Sequence, residues 1–391
     1  MTCAHHHQPY AAIACGGTGG HLFPGLAVAD ELLARGVAVS LLVSPKDVDQ
    51  NAVKSVRGME VITLPAVAFQ SGSRLAFVRG FGQSFFAARK KFRICRPDAV
   101  LAMGGFTSAP PVLAGRFCGA KTFLHESNTI PGRANRWLGR IVDHAFVGFP
   151  QAVSKLQARE TTVTGTPVRP EFRPRDAGAC RAALGLDPSR PVVLVMGGSQ
   201  GASGINDLVL AAFPKLATRL PRAQWMHLTG PRDEAKVCEA YAKLNLTAVV
   251  RPFLQEMEQA LAAATATVSR AGASSLAELA ALRLPAVLVP YPHAADAHQL
   301  HNARAFVGTG AAALLEQTPE ASERLVTLLG DLVEDAAARE KMQTALAGWH
   351  VPQAARHIAE IILTHIKQPA RAGDRPRPTL ENPNIKIGAI T

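Results

Sequence analysis

The chain lacks the features that define several large classes of protein. No apolar run among its 391 residues reaches the ~18 needed to span a bilayer, and residues 1–10 lack the apolar core of a signal peptide. A cytoplasmic protein, soluble or peripheral to a membrane, is expected. Cys3, Cys15, Cys95, Cys118, Cys180 and Cys238 are scattered without C-x-x-C spacing, which argues against a disulfide framework or a zinc site and makes reduced thiols the expectation. No convincing cluster of metal ligands stands out; His5-His6-His7 lies in a leading segment that reads as unstructured. Acidic residues are absent from one long stretch. Between Glu60 and Asp98 there is none, against seven Lys/Arg and six of the sixteen Phe; Phe77, Phe81, Phe85, Ala88 and Phe92 would share one face of a helix that Gly80 and Gly82 are expected to break, with Arg79, Arg89, Lys90, Lys91, Arg93 and Arg96 facing solvent.

A chain of this length suggests two domains of roughly 150 to 200 residues. Its 48% hydrophobic content suffices to bury two cores. The net charge of +12 implies an anionic partner, and composition alone leaves nucleic acid, anionic lipid and a phosphorylated substrate open.

The most informative segment is Gly16-Gly17-Thr18-Gly19-Gly20-His21, between the apolar run 11–15 and a helical pattern over 23–35. Glycines let backbone N–H groups close on an oxyanion at a helix N-terminus, where the macrodipole favours negative charge. A similar loop, Gly197-Gly198-Ser199-Gln200-Gly201-Ala202, follows an apparent buried strand at 192–196. Neither is a common nucleotide motif: Leu22 takes the last glycine position of G-x-G-x-x-G, and no glycine precedes Lys and Ser/Thr. Short apolar runs at 37–43, 61–64, 99–102, 121–124 and 143–148 alternate with helical stretches, then again at 192–196, 224–229, 248–253, 266–269 and 286–290. This rhythm predicts an α/β fold of two doubly wound Rossmann-like domains facing a cleft. The segment 165–174, rich in Pro and Arg, is the candidate linker. The expected boundaries are 11–168, 169–350, a helix at 351–367 returning to the N-terminal domain, and a disordered tail at 368–391.

Further strand-end clusters are Met103-Gly104-Gly105-Phe106-Thr107-Ser108, His125-Glu126-Ser127-Asn128 and Ser269-Arg270-Ala271-Gly272-Ala273-Ser274-Ser275. His21 reads either as a first-turn residue bonding a carbonyl or as a general base of near-neutral pKa, kept deprotonated by the positive helix end. Ser275 and Glu278 spell a capping box, though a carboxylate there would also suit ribose hydroxyls. Arg169 is a linker charge or a diphosphate contact. Asp296, His298, Gln299 and Asn302 form either a plain polar face or part of the site. After the second strand, Ser44-Pro45-Lys46 presents no acid at the strand end, which weakens an NAD-binding reading.

Taken in order, Gly16 to His21 with Pro24-Gly25-Leu26-Ala27, Met103-Gly104-Gly105, His125-Glu126-x-Asn128, Gly165-x-Pro167-Val168-Arg169, Gly197 to Ala202, Ser269-Arg270-x-Gly272-Ala273 and Asp296-x-x-Gln299-x-x-Asn302 closely resemble the MurG family. The resemblance covers about residues 11 to 365. These are transferases that move N-acetylglucosamine from UDP-GlcNAc to lipid I, giving lipid II for peptidoglycan and hence for cell shape and division. It implies a GT-B fold, with the lipid-linked acceptor on the N-terminal domain and the sugar nucleotide on the C-terminal one. Thr18, Gly19 and Gly20 would then line the donor's sugar and diphosphate, with Asn128 near the sugar. Arg169 and Ser199 would hold the diphosphate and Leu254 would meet uracil. Ala273, Ser274, Ser275, Leu276, Ala277 and Glu278 would surround diphosphate and ribose, Gln299 would complete the sugar contacts, and His21 would be the base. The resemblance implies neither cofactor, metal nor nucleic acid. It places the protein peripherally on the cytoplasmic face of the inner membrane, against anionic lipid, with cell-wall assembly proteins as further partners. Phe106, Ser127, Thr166 and Leu254 stand where many members carry Tyr, Gln, Asn and Ile. A UDP-GlcNAc 2-epimerase or a nucleotide-binding regulator is the rival reading; the first would convert UDP-GlcNAc with no acceptor present.

Overall fold

Each short apolar run is too brief for a helix and is followed by a helical stretch too long for a hairpin, so the strands can pair only in parallel. The protein, described by a computed structural model over residues 8–17, 19–46, 49–50, 53, 56–65, 74–198 and 201–367, contains two such sheets. The first has seven strands: β1 (Tyr10–Ala14), β2 (Ala38–Val43), β3 (Glu60–Thr63), β4 (Ala99–Ala102), β5 (Lys121–Glu126), β6 (His144–Val147) and β7 (Thr161–Val163), in the order β3-β2-β1-β4-β5-β6-β7. The second has six: β8 (Val192–Met196), β9 (Gln224–Leu228), β10 (Ala248–Arg251), β11 (Ala266–Ser269), β12 (Ala286–Leu288) and β13 (Ala313–Leu314), in the order β10-β9-β8-β11-β12-β13. The sequence pattern did not reveal β7 and β13. Both are edge strands of three and two residues, only partly buried, so neither carries an apolar run.

Both faces of each sheet are covered. Ile13, Leu41, Leu101, Phe123 and Phe146 enter one core layer of the first sheet, while Ala12, Leu42, Val100, Leu124 and Val147 enter the layer behind it. That is why the strands read as continuous apolar runs rather than alternating ones. In the second sheet Val192 and Leu194 face one core and Val193 and Val195 the other.

Six helices shape the cleft and its surroundings: α1 (Gly19–Ala34), α2 (Arg74–Ile94), α3 (Ser203–Arg219), α4 (Ala273–Leu282), α5 (His298–Gly308) and α6 (Ala354–Lys367). α1 begins four residues before the periodic pattern, because its first residues are glycines and carry no apolar signal. α2 runs unbroken through Gly80 and Gly82, where a break was expected. Phe81, Phe85, Ala88 and Phe92 pack on the first sheet, and that burial outweighs the ~1 kcal/mol helix penalty of each glycine.

Reduced thiols hold for Cys15, Cys118, Cys180 and Cys238 but not for Cys95, which is in a disulfide whose partner lies outside the described residues. The expected disordered tail, 368–391, also lies outside them.

α6 follows the second domain in sequence yet packs on the first. Ala355, Ile358, Ala359 and Ile362 join the core of Leu26, Leu32, Phe123 and Phe146. Ile362 is fully buried there. Ile362→Ala is therefore expected to lower stability by about 2–5 kcal/mol in urea unfolding, with exposed Lys367→Ala within about 0.5 kcal/mol of the parent. An unchanged midpoint for Ile362→Ala would remove α6 from that core.

Candidate active site

In both sheets the strand order reverses beside the first strand of the domain, at β1/β4 and β8/β11. Crevices at such switch points, outside the carboxyl ends of the strands, are where α/β sheets bind ligands. Both glycine loops and the loops after β4 and β11 leave the sheets there.

The first loop is held by backbone contacts that only glycine allows. A Cβ at Gly16 would lie 2.4 Å from Ser44 N. Asp49 Oδ2 accepts hydrogen bonds from Gly17 N at 2.6 Å, Ser44 N at 3.2 Å and Ser44 Oγ. Lys46 Nζ donates to the Gly17 carbonyl at 3.2 Å, and Thr107 Oγ1 donates to that of Gly16 at 2.7 Å. Sequence reasoning looked for an acid at Ser44-Pro45-Lys46 and passed over Asp49. This carboxylate also completes a D-x-D triplet, Asp47-Val48-Asp49, whose first two residues lie outside the described ones. Buried Asp49 binds the glycine loop instead of projecting into solvent.

His21 lies in the first turn of α1, whose leading N–H groups have no intrahelical acceptor. Its ring fills the space over Gly104 and Gly105: at Gly104, with φ +120°, a Cβ would come within 2.8 Å of His21 Nε2. Burial is the main cause that pushes the His21 imidazole down to about 4; Asp49 opposes this, and His298 and Lys46 add to it. The imidazole is thus neutral at physiological pH, but its value lies well below the near-neutral one expected, and desolvation rather than the helix end heads the causes.

His125-Glu126-Ser127-Asn128 is a structural knot. Buried His125 donates from Nε2 to the Gly165 carbonyl at 3.1 Å, and Ser127 Oγ lies 3.2 Å from Nδ1. Buried Glu126 accepts from Asn128 N at 2.8 Å, Asn128 Nδ2 at 3.0 Å, Gly132 N at 3.0 Å and Asn135 Nδ2 at 2.8 Å. Asn302 of α5 then crosses from the second domain. Its Oδ1 accepts from Thr129 N (2.9 Å) and Thr129 Oγ1 (3.0 Å), and its Nδ2 donates to Asn128 Oδ1 (3.0 Å) and the Ala271 carbonyl (3.2 Å). The polar-face reading of Asn302 is thereby set aside. Asn128 sits at the seam of the domains.

The facing wall is built by the second domain. α4 starts at Ala273 with Gly272 as its N-cap and no side-chain cap bond, so the capping-box reading of Ser275 and Glu278 fails: both lie inside the helix. α4 packs against α1. Ser274, Ser275, Ala277 and Glu278 are partly exposed, whereas Ala273 and Leu276 are buried. Burial pushes the Glu278 carboxyl up to about 7, with Arg169 acting in the opposite direction. Arg169 is no loose linker charge. Its guanidinium carbon lies 4.7 Å from the centroid of Phe23 and 5.0 Å from that of Phe172, and its buried Nε has no partner among the described residues.

Gln299 Oε1 accepts from Tyr291 N at 3.0 Å, and Asp296 pairs with Arg136 of the first domain at 2.8 Å. Partly buried Leu254 follows exposed Phe253 after β10. Arg270, given no role from sequence, is buried and donates from Nη1 to the Val289 carbonyl (3.0 Å), the Pro290 carbonyl (3.1 Å) and Gln317 Oε1 (2.9 Å). Thr18 and Ser199 lie outside the described residues. The chain thus brings His21, Asn128, Arg169, Glu278 and Gln299 to loops and helix starts around one interdomain cleft.

Known proteins share this arrangement. Residues 11–147 match the glycosyltransferase family 28 N-terminal domain and 192–358 the glycosyltransferase family 28 C-terminal domain. A UDP-N-acetylglucosamine–N-acetylmuramyl-(pentapeptide) pyrophosphoryl-undecaprenol N-acetylglucosamine transferase of Anaeromyxobacter dehalogenans is 35% identical over 91% of this chain and 93% of its own. The protein of the same name from Xanthomonas oryzae pv. oryzae is 39% identical over 96% of this chain and 82% of its own. The crystal structure of Acinetobacter baumannii MurG superposes with a TM-score of 0.70 at 27% identity, covering 91% of this chain and 99% of that one. Identity at this level over nearly the whole length, with both domains in order around one cleft, shows that the chain belongs to the MurG family of GT-B glycosyltransferases.

Proposed function

We propose that the chain moves GlcNAc from UDP-GlcNAc to the C4 hydroxyl of lipid I, displacing UDP in one inverting step and giving lipid II. The observation that carries the mechanism is the convergence on the start of α1 of His21 in its first turn and of Arg169, whose guanidinium stacks on Phe23 of the same helix and whose Nε has no partner among the described residues, with α4 packed against α1. A neutral imidazole accepts the C4 hydroxyl proton as the oxygen attacks the anomeric carbon. The departing diphosphate gathers negative charge, and Arg169 with the positive dipole ends at the starts of α1, α3 and α4 stabilises it. Gly19 and Gly20 open α1, and Thr18 and Ser199 precede α1 and α3 in sequence. Glu278 accepts from the ribose hydroxyls, backbone at Leu254 meets uracil, and Asn128 and Gln299 orient the sugar. The decisive assay supplies labelled UDP-GlcNAc and a lipid I analogue and follows label into lipid.

The acceptor is membrane-bound, so the first domain meets an anionic surface. Among the described residues no helix is long and apolar enough to cross a bilayer. α2 buries Ala88 and Phe92 and half-buries Phe77, Phe81 and Phe85, so the one-sided phenylalanine face belongs to the core. The outward face is a different set: Leu75, Val78 and Phe86 are exposed, with Phe117 close to Phe85. Of the basic residues expected to face solvent, Lys91 pairs with Glu60 and Arg96 donates to the Cys118 carbonyl at 2.7 Å; Arg79, Lys90 and Arg93 are exposed and Arg89 half-exposed. An apolar strip with a basic margin fits a peripheral contact with the inner leaflet.

His21→Ala is expected to cut kcat about 10²- to 10⁴-fold with UDP-GlcNAc binding nearly intact, and Arg169→Ala to weaken donor binding as well. The wild-type acid limb of kcat should fall near pH 4, since His21 stays neutral above its lowered value. Donor KM should rise earlier, as pH drops through about 7, because Glu278 loses its accepting carboxylate there. In Glu278→Gln that rise should vanish. A His21 variant that loses only donor affinity would place the base elsewhere.

Because Arg169 and helix starts hold the leaving group, EDTA should leave turnover unchanged. A loss restored by Mg²⁺ or Mn²⁺ would refute this account.

Charge reversal at Arg89, Lys90 and Arg93 should weaken binding to anionic vesicles and turnover on membrane-embedded acceptor while sparing a short-chain soluble acceptor, each charge contributing on the order of 1 kcal/mol. Equal loss on both acceptors would instead indicate a role in the cleft.

A further inference from the structure

Three side chains from separate parts of the chain converge at the amino ends of β6 and β7, the opposite edge of the first sheet from the cleft. His144 opens β6, Glu160 immediately precedes β7, and His365 lies in the last turn of α6. His144 Nδ1 is 3.3 Å from Glu160 Oε2, and His365 Nε2 is 3.7 Å from the same oxygen. All three candidate ligand atoms fall within 4.8 Å of one another. A tetrahedral ion with bonds of ~2.0–2.1 Å spaces its ligands about 3.4 Å apart. The observed spacing therefore suits an ion at the centre with little movement of any side chain.

The outer side of each ring gives a second, independent sign. His365 Nδ1 is 2.8 Å from the Ile361 carbonyl, which can only accept, so Nδ1 carries the proton and Nε2 of the neutral ring presents a lone pair. His144 Nε2 is 2.9 Å from Thr162 Oγ1, and donation there leaves Nδ1 as the lone pair facing Glu160. Metal-binding histidines are held in this way, by an acceptor behind the non-ligating nitrogen. Both rings are also fixed by aromatic contacts: His365 stands edge-on to Phe123 at 5.4 Å, and His144 lies 4.9 Å from Phe146. His144 is buried, while Glu160 keeps 45% of its side chain exposed and leaves a path for an ion and for a water in the fourth position.

We propose that His144, Glu160 and His365 form a binding site for a divalent transition-metal ion, with Zn²⁺ best matched, that pins the C-terminal helix to the N-terminal sheet. Two imidazoles and one carboxylate suit a borderline-soft ion better than Mg²⁺ or Ca²⁺, which take oxygen ligands. α6 is the element that carries the chain back from the second domain, so the ion would add to the apolar packing and the Arg35–Glu360 ion pair (3.8 Å) that already hold it to the first.

The test uses the full chain with His5, His6 and His7 replaced by Gln, because that triplet takes the same ions. Zn²⁺ alone, titrated against a chromophoric chelator, is expected to fill one saturable site, and Co²⁺ in its place to give the visible bands of a four-coordinate ion. Glu160→Gln and His365→Gln, both at partly exposed positions and checked by circular dichroism, should abolish that equivalent. Thr162→Val touches no ligand atom and should weaken it roughly 10- to 100-fold. Zn²⁺ should raise the Tm of the parent and of neither ligand variant, with transferase turnover unaffected by EDTA. Absence of a saturable equivalent, or one that keeps its affinity in Glu160→Gln, His365→Gln or Thr162→Val, would overturn the site.

Discussion

Every strand in both sheets is parallel, and the rest of the molecule depends on that constraint. Parallel strands put each following helix start at the same edge of the sheet, so unpaired N–H groups and positive dipole ends accumulate there. Two such edges face each other. A cleft made this way favours negative charge before any cationic side chain is added, and stacked Arg169 adds to a field that already exists.

Such a cleft works only if its walls keep their relation, and buried polar groups provide this. Glu126 is a buried carboxylate that costs several kcal/mol of desolvation, offset by donors from Asn128, Gly132 and Asn135. Asn302 is fully buried and uses both ends of its amide across the domain seam. Removing a member of such a network strands its partners without water, so the geometry around Asn128 is strongly specified. Asp49 does the same for the first glycine loop through the Gly17 amide.

The same desolvation sets the proton chemistry. Burial keeps His21 neutral far below physiological pH and brings Glu278 to the edge of ionisation near 7, so one cleft holds a ready proton acceptor and a carboxylate sensitive to pH. Gly104 makes the first possible, since any side chain there would displace the imidazole.

The sequence by itself determined the architecture and most of the cleft, because apolar runs, glycine turns and their order are local properties that each segment carries wherever it lies. It also carried the motifs by which Arg169, Asn128, Glu278 and Gln299 were found. It left a cap open as one of two readings of Ser275 and Glu278 because Gly272, the actual N-cap, supplies no side chain to recognise, and it expected α2 to break because glycine's cost is local while the burial that outweighs it is not. Only the tertiary structure decided that Asp49 holds the first loop, that Asn302 ties the domains together, and that His144, Glu160 and His365 meet. Those contacts join residues with no fixed spacing in the chain, and only the packing of sheets and helices brings them together.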